Sequence, residues 1–230
     1  MLVKQASDHV RADNVLYPTP VGHIRAALRH PAFGNNVPQR NIIRVLDPGA
    51  GDGRWGLEMK KLFSTPTRQQ ASEPYESVDL TGIELRPAAE TGPHPEGYAN
   101  WHTMDFAQFR TLHNLPFDVV IGNPPFGRPR KNIIEEFIWH GRDLLSPDGV
   151  MMYLHRIEFL TGQKRAKKLW SEYRPRAVLL SPVRPSFTGN KKTDAQDYCF
   201  SVWGKEGVAE GETRVFWLDP EGIKLAEVEA

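Results

Sequence analysis

The sequence predicts an α/β domain built on a doubly wound, mostly parallel seven-stranded sheet, and three observations carry that expectation. From about residue 40 onward, short apolar runs rich in β-branched residues alternate with stretches of helical periodicity. That is the order that makes parallel strands joined by crossover helices. The first run leads straight into a glycine turn, Asp47-Pro48-Gly49-Ala50-Gly51-Asp52-Gly53. At 230 residues the chain can bury one large core.

The elements follow in order. Ile42 to Leu46 reads as a buried strand, and Trp55 to Phe63 as the helix after the glycine turn. Residues 64–77 are polar and read as a loop, and Val78 to Leu85 is a second strand. The Pro/Gly-rich stretch from Pro87 to Gly97 is too broken for a full helix, so that crossover should be short. Tyr98 to Thr103 is a weak third strand and Phe117 to Ile121 a fourth. Ile133 to Leu145 has helical spacing and stops before Ser146-Pro147-Asp148-Gly149. Val150 to Leu154, Ala177 to Leu180 and Tyr198 to Trp203 complete seven strands, with a basic helix from Gln163 to Tyr173 and Arg214 to Leu218 as a candidate eighth. Residues 1–220 form one domain in this reading, with a small recognition insertion near 156–192 and an acidic, loose tail over 221–230.

Composition narrows the function classes. No apolar run reaches the roughly 18–20 residues of a membrane span, and the N-terminus has no signal-peptide pattern. Cys199 is the single cysteine, which excludes an internal disulfide or a cysteine zinc cluster and suits a cytoplasmic setting. The eight histidines lack ligand-like spacing, so no protein-held metal is expected. Net charge is +1, but it is unevenly spread. Asn123 to Gly204 holds 14 Lys/Arg against 8 Asp/Glu, and the remainder holds 15 against 20. One face is therefore expected to meet a polyanion.

Gly51, Gly53 and Gly56 satisfy the dinucleotide pattern G-x-G-x-x-G. Asp52 between the glycines would repel a pyrophosphate, and the turn starts two residues early for that use. A cationic, phosphate-free ligand such as S-adenosylmethionine suits those carboxylates better. Glu84, ending the second strand, is placed for ribose hydroxyls. Asp105, after the third, suits an adenine amino group or the cap of a helix. The fourth strand ends in Gly122 and then Asn123-Pro124-Pro125-Phe126. Two prolines stop the strand. An amide, a proline carbonyl and an aromatic ring then suit a flat ligand bearing an exocyclic amine. The same residues also suit a stiff turn.

Asp47 to Gly53, Glu84, Asp105 and Asn123 to Phe126, in that order, resemble class I S-adenosylmethionine-dependent methyltransferases with a Rossmann-like fold. More narrowly, they resemble those that methylate exocyclic amines. Tyr17-Pro18-Thr19-Pro20 is similar to the Thr-Pro segment ahead of the cofactor loop in adenine-N6 DNA methyltransferases of the gamma arrangement. Together these matches cover about residues 17–130. Arg184-Pro185-Ser186-Phe187 and Asp194 to Trp203 resemble, more loosely, the C-terminal part of small phage or orphan adenine methylases.

The resemblance implies cofactor contacts from Tyr17, Thr19, Pro20, Asp47, Pro48, Gly49, Ala50, Gly51, Asp52, Gly53, Glu84, Leu85, Asp105, Phe106 and Asn123. It implies a catalytic segment of Asn123, Pro124, Pro125 and Phe126, with the Asn123 amide oxygen and the Pro124 carbonyl accepting the amine hydrogens while Phe126 stacks on the base. Nucleic-acid contacts are expected from Arg128, Arg130, Lys131, Lys164, Lys167, Lys191 and Lys192. The substrate implied first is adenine in DNA, flipped from the duplex. Adenine or guanine in ribosomal RNA comes second. A glutamine side chain in a release factor and a silent cofactor-binding protein follow. The glutamine family carries a long helical N-terminal domain, for which about 40 residues are too few here. Larger restriction-type enzymes carry a separate recognition domain that the stretch from about Arg156 to Lys192 cannot match in size.

Overall fold

The computed structural model describes residues 17–64, 77–111, 115–126, 132–188 and 192–228. Among them eight strands form one sheet. These are β1 (Ile42–Pro48), β2 (Ser77–Glu84), β3 (Asn100–Thr103), β4 (Phe117–Gly122), β5 (Leu145–Arg156), β6 (Ala177–Leu180), β7 (Tyr198–Gly204) and β8 (Arg214–Trp217). Their order is β3-β2-β1-β4-β5-β7-β6-β8. Neighbours are parallel throughout, except that β7 runs antiparallel to both β5 and β6. The chain steps outward from β1 to β3 and returns to β4, so the direction of winding reverses between β1 and β4. A crevice opens at the carboxyl ends of strands at such a point.

Central strands covered on both faces read as unbroken apolar runs; β4 and β7 are buried along their whole length. Successive residues feed opposite layers. Val45, Val119, Ile121 and Met152 pack with Ile24, Phe33, Trp55 and Met59, whereas Leu46, Val120, Met151 and Tyr153 pack with Phe137, Ile138, Leu169 and Trp203. The first layer comes from α1 (Val21–Arg29), α2 (Pro31–Gly34) and α3 (Arg54–Ser64). Between β2 and β3 lies only α4 (Ala88–Thr91), the short crossover the Pro/Gly-rich sequence implies. The second layer comes from α5 (Ile133–Leu144) and α6 (Gln163–Glu172).

Four features sharpen or depart from the sequence reading. The sheet has eight strands, because the candidate eighth forms β8 and adds to β6 as a largely exposed edge. Residues 221–228 are not a loose tail. Pro220–Val228 form α7, whose Ile223 and Ala226 are buried and which packs on α1. Acidic composition hid an apolar pair at i, i+3, and Asp219 accepts from the amides of Glu221 and Gly222 at the helix start. Ser146 to Gly149 fall inside β5, where the pairing with β4 jumps from Phe117↔Leu145 to Val119↔Val150. Within residues 156–192, α6 and β6 belong to the sheet and its crossover. The described residues outside these elements are few, chiefly a 3₁₀ turn at Ile157–Leu160 and residues 181–188. The expected loop at 64–77 lies mostly outside the described residues.

Candidate active site

β1 ends at the glycine turn. Gly49, Gly51 and Gly53 have φ of 70°, 59° and 76°, left-handed values that an L side chain rarely adopts. The turn is tied to the end of β2: the amides of Gly49 and Ala50 donate to the Ile83 carbonyl at 2.7 and 2.9 Å, and the Gly51 amide donates to Glu84 Oε2 at 2.8 Å. Glu84 Oε1 accepts from the amide and Nε of Arg86 at 3.0 and 2.8 Å. Both side chains are nearly buried, so the carboxylate is matched by a charge of its own. A carboxylate offers about four acceptor positions, which leaves capacity for a ligand hydroxyl.

Asp47 is almost fully buried, at 1% exposure. Its Oδ2 accepts from the Tyr98 hydroxyl at 2.6 Å and from the Gly56 amide at 3.2 Å, while Oδ1 has no partner. Burial pushes its carboxyl up to about 7, with Asp52 and Glu84 adding to the rise and the two hydrogen bonds opposing it. Asp52 itself is forked by Arg54, Nε to Oδ1 at 3.0 Å and Nη2 to Oδ2 at 2.5 Å. Its charge is thus already compensated, and the electrostatic preference for a cationic ligand rests on Asp47 instead.

Across the crevice, β4 delivers Asn123. Its Nδ2 donates to the Tyr17 carbonyl at 3.2 Å, and its Oδ1 is buried without a partner. Pro124 is buried and Pro125 exposed. The Phe126 ring meets Tyr198 at 5.6 Å and Phe187 at 6.5 Å between centroids. Phe187 in turn takes the edge of Tyr17 at 6.3 Å. The Tyr17–Pro20 segment therefore bridges the two halves of the site. Beside the Asn123 contact, the Thr19 carbonyl accepts from Arg54 Nη1 at 2.9 Å, and Thr19 Oγ1 accepts from Trp55 Nε1 at 3.1 Å. Pro20 precedes the first residue of α1.

The structure thus brings together the Tyr17–Pro20 segment, Asp47 to Gly53, Glu84 and Asn123 to Phe126. Leu85 follows Glu84 with an apolar side chain left 57% exposed. Asp105 caps the 3₁₀ turn Phe106–Gln108 by accepting from the Ala107 amide at 3.0 Å. Phe106 is buried against Phe137 and His140 at 4.8 and 4.7 Å, so any contact it makes with a ligand falls to its backbone. Lys164, Lys167 and Lys192 are exposed. Arg128, Arg130, Lys131 and Lys191 lie outside the described residues. Sequence reasoning missed Tyr98, Arg54 and Arg86. Tyr98 carries no local signal. The two arginines do, because Asp52-Gly53-Arg54 and Glu84-Leu85-Arg86 share an acid–x–Arg spacing.

The donor set fits S-adenosylmethionine. An unpartnered carboxylate oxygen of Asp47 lies beside Gly122 at the end of β4, glycines allow close backbone approach, Glu84 has acceptor capacity, and Leu85 offers an apolar surface. Among the described residues no cluster of His, Cys, Asp and Glu could hold a metal ion, and no helix is long and apolar enough to cross a membrane.

Comparison with known proteins bears on the family and the fold. The family model "Methyltransferase small domain" matches residues 32–173. The tRNA1(Val) (adenine(37)-N6)-methyltransferases of Yersinia pestis (strain Pestoides F) and Yersinia pseudotuberculosis (serotype O:1b) are 31% identical over 121 residues, covering 47% of this chain and 44% of theirs. The match therefore spans less than half the length of those relatives. A candidate class I S-adenosylmethionine-dependent methyltransferase from Listeria monocytogenes superposes with a TM-score of 0.62 at 15% identity, over 93% of this chain and 71% of that one. The M protein of the type I restriction enzyme EcoKI superposes at 0.58 and 17%, over 86% and 45%. Likenesses this distant speak for the fold. With the family model covering more than half of the sequence, the chain belongs to the methyltransferase small domain family, a class I methyltransferase with S-adenosylmethionine as its cofactor.

Proposed function

We propose that this protein transfers a methyl group to the exocyclic N6 amine of adenine in RNA, with tRNA as the first class to test. The observation that carries the reading is Asn123, whose Nδ2 is spent on the Tyr17 carbonyl while Oδ1 is buried and unpartnered. A buried acceptor without a partner costs about 1–3 kcal/mol, and an incoming amine hydrogen offsets that cost. The carbonyl of Pro124 supplies the second acceptor. Two acceptors on one amine draw its lone pair out of conjugation with the ring and orient it. Phe126 offers a face for the base, worth on the order of 1–3 kcal/mol. Asp47 to Gly53, Glu84 and Leu85 would hold S-adenosylmethionine, which when bound supplies an electrophilic methyl on a sulfonium. No strong base is required of the chain, because a methylated aromatic amine sheds its proton readily.

The sequence resemblance put DNA first. The curated relatives are named for a tRNA adenine, which favours RNA, whereas the likeness to a DNA-modifying M protein is one of fold. Purified protein incubated with labelled S-adenosylmethionine and either tRNA or duplex DNA, followed by nucleoside mass spectrometry, separates these. N6-methyladenosine from tRNA is the expected product. N6-methyldeoxyadenosine from DNA alone would restore the DNA reading, and no methylated adenine in either polymer would remove both.

A further inference from the structure

We propose that Glu227, near the end of α7, is a positioning residue for this site: it caps α1 and thereby holds the Tyr17–Pro20 segment against the glycine turn and Asn123. The inference rests on the cofactor site described above and not on the identity of the acceptor.

The start of α1 lacks a cap of its own. Its N-cap residue is Pro20, which provides no side-chain acceptor, and no acidic residue lies in its first turn. The first amides of a helix have no partner within it, and the positive end of the helix dipole favours a carboxylate there. Glu227 Oε2 fills that role from 205 residues away, accepting from the Gly22 amide at 2.5 Å. The approach depends on glycine. A Cβ built at Gly22 would lie 2.2 Å from the Ile223 carbonyl oxygen and 2.9 Å from Glu227 Oε2.

Other contacts turn α1 into a junction. Arg25 Nη1 donates to the Ala226 carbonyl at 3.0 Å, and Arg25 Nε pairs with Glu58 of α3 at 2.6 Å. His23 Nε2 lies 2.9 Å from the Val183 carbonyl oxygen in the loop after β6. The residues immediately before α1 are those that accept from Arg54, Trp55 and Asn123. Releasing the Gly22 amide frees the start of α1, and with it a segment that touches both Arg54 and Trp55, just after the glycine turn, and the amine-binding amide.

The test titrates S-adenosylhomocysteine into the full chain by calorimetry for wild type, Glu227→Ala, Glu227→Gln and Leu225→Ala, with thermal unfolding recorded alongside. Glu227→Ala is expected to weaken binding at least fivefold. Glu227→Gln, whose amide oxygen can still accept from Gly22, should stay within about twofold, as should Leu225→Ala on the exposed face of the same helix. Wild-type affinity in Glu227→Ala overturns the proposal, and so does a loss that Gln fails to restore. Should Glu227→Ala not fold, Glu227→Asp, one methylene short of the amide, takes its place: weaker binding than Gln supports the cap, and equal binding overturns it. The readout needs no methyl acceptor, so an error in the adenine assignment leaves it unaffected.

Discussion

Asp47 lies near the end of β1 and Asn123 just past the end of its neighbour β4, and each keeps one buried side-chain oxygen without a partner. In Asn123 the free oxygen is a neutral acceptor already oriented by its own Nδ2. Asn123→Ala is therefore expected to lower methyl transfer by about 100-fold or more, the scale of losing one aimed electrostatic contact, while S-adenosylhomocysteine binding changes by less than about threefold. Turnover that survives the change would remove Asn123 from its role. In Asp47 the free oxygen belongs to a carboxyl raised to about 7, chiefly by desolvation. A folded pKa above the unfolded one gives stability that is present in full below about pH 4 and is lost as pH rises through 7. Asp47→Asn, which cannot ionise, should match wild type near pH 4 and exceed it in melting temperature at pH 8. A gap that does not widen with pH would contradict the ionisation. Cofactor affinity should move the other way in wild type, weakening as pH falls below 7, because the ionised carboxylate is the form that favours an ammonium.

At the scale of elements, what could be read from the sequence was what burial on two faces writes into it. Strands β1, β2, β4 and β7 are apolar runs because helices cover both sides, and the glycine turn and the Asn-Pro-Pro-Phe segment announce themselves by residue type. Elements that pack on one side were harder to see. α1 mixes His23, Arg25 and Arg29 with small residues, and α7 has two buried side chains in an acidic stretch, so neither stands out by composition. Their pairing spans nearly the whole chain, which no local pattern records. The Tyr98–Asp47 contact is invisible for the same reason, since the two residues are 51 apart. The energetic weight of α7 can be measured directly. Ile223 is 2% exposed, and truncating a buried isoleucine costs about 2–5 kcal/mol. Ile223→Ala should lower the denaturant midpoint accordingly with an unchanged slope. A shift within error of wild type would mean that α7 contributes little to the packed first layer.

For the molecule as a whole, the 14 Lys/Arg against 8 Asp/Glu between Asn123 and Gly204 must be matched with the sheet's geometry before they say anything about a polyanion. Several of these cations are spent internally: Arg142 lies over Trp139 and Tyr173, Arg176 Nη1 donates to Asn36 at 2.5 Å, and Arg165 reaches the Thr161 carbonyl and Glu135. The exposed lysines of α6 are better placed. β5 ends at Arg156 on the carboxyl rim where Asn123 also lies, and α6 begins at Gln163 after a single 3₁₀ turn, so Lys164 and Lys167 start from that rim. Each phosphate contact adds close to one unit to the dependence of log affinity on log salt. Lys164→Ala combined with Lys167→Ala should therefore weaken nucleic-acid binding at low salt and reduce that slope by about 2, with S-adenosylhomocysteine binding unchanged. An unaltered slope would move the polyanion away from α6, leaving the segments that flank Asn123 and Lys192 to carry it.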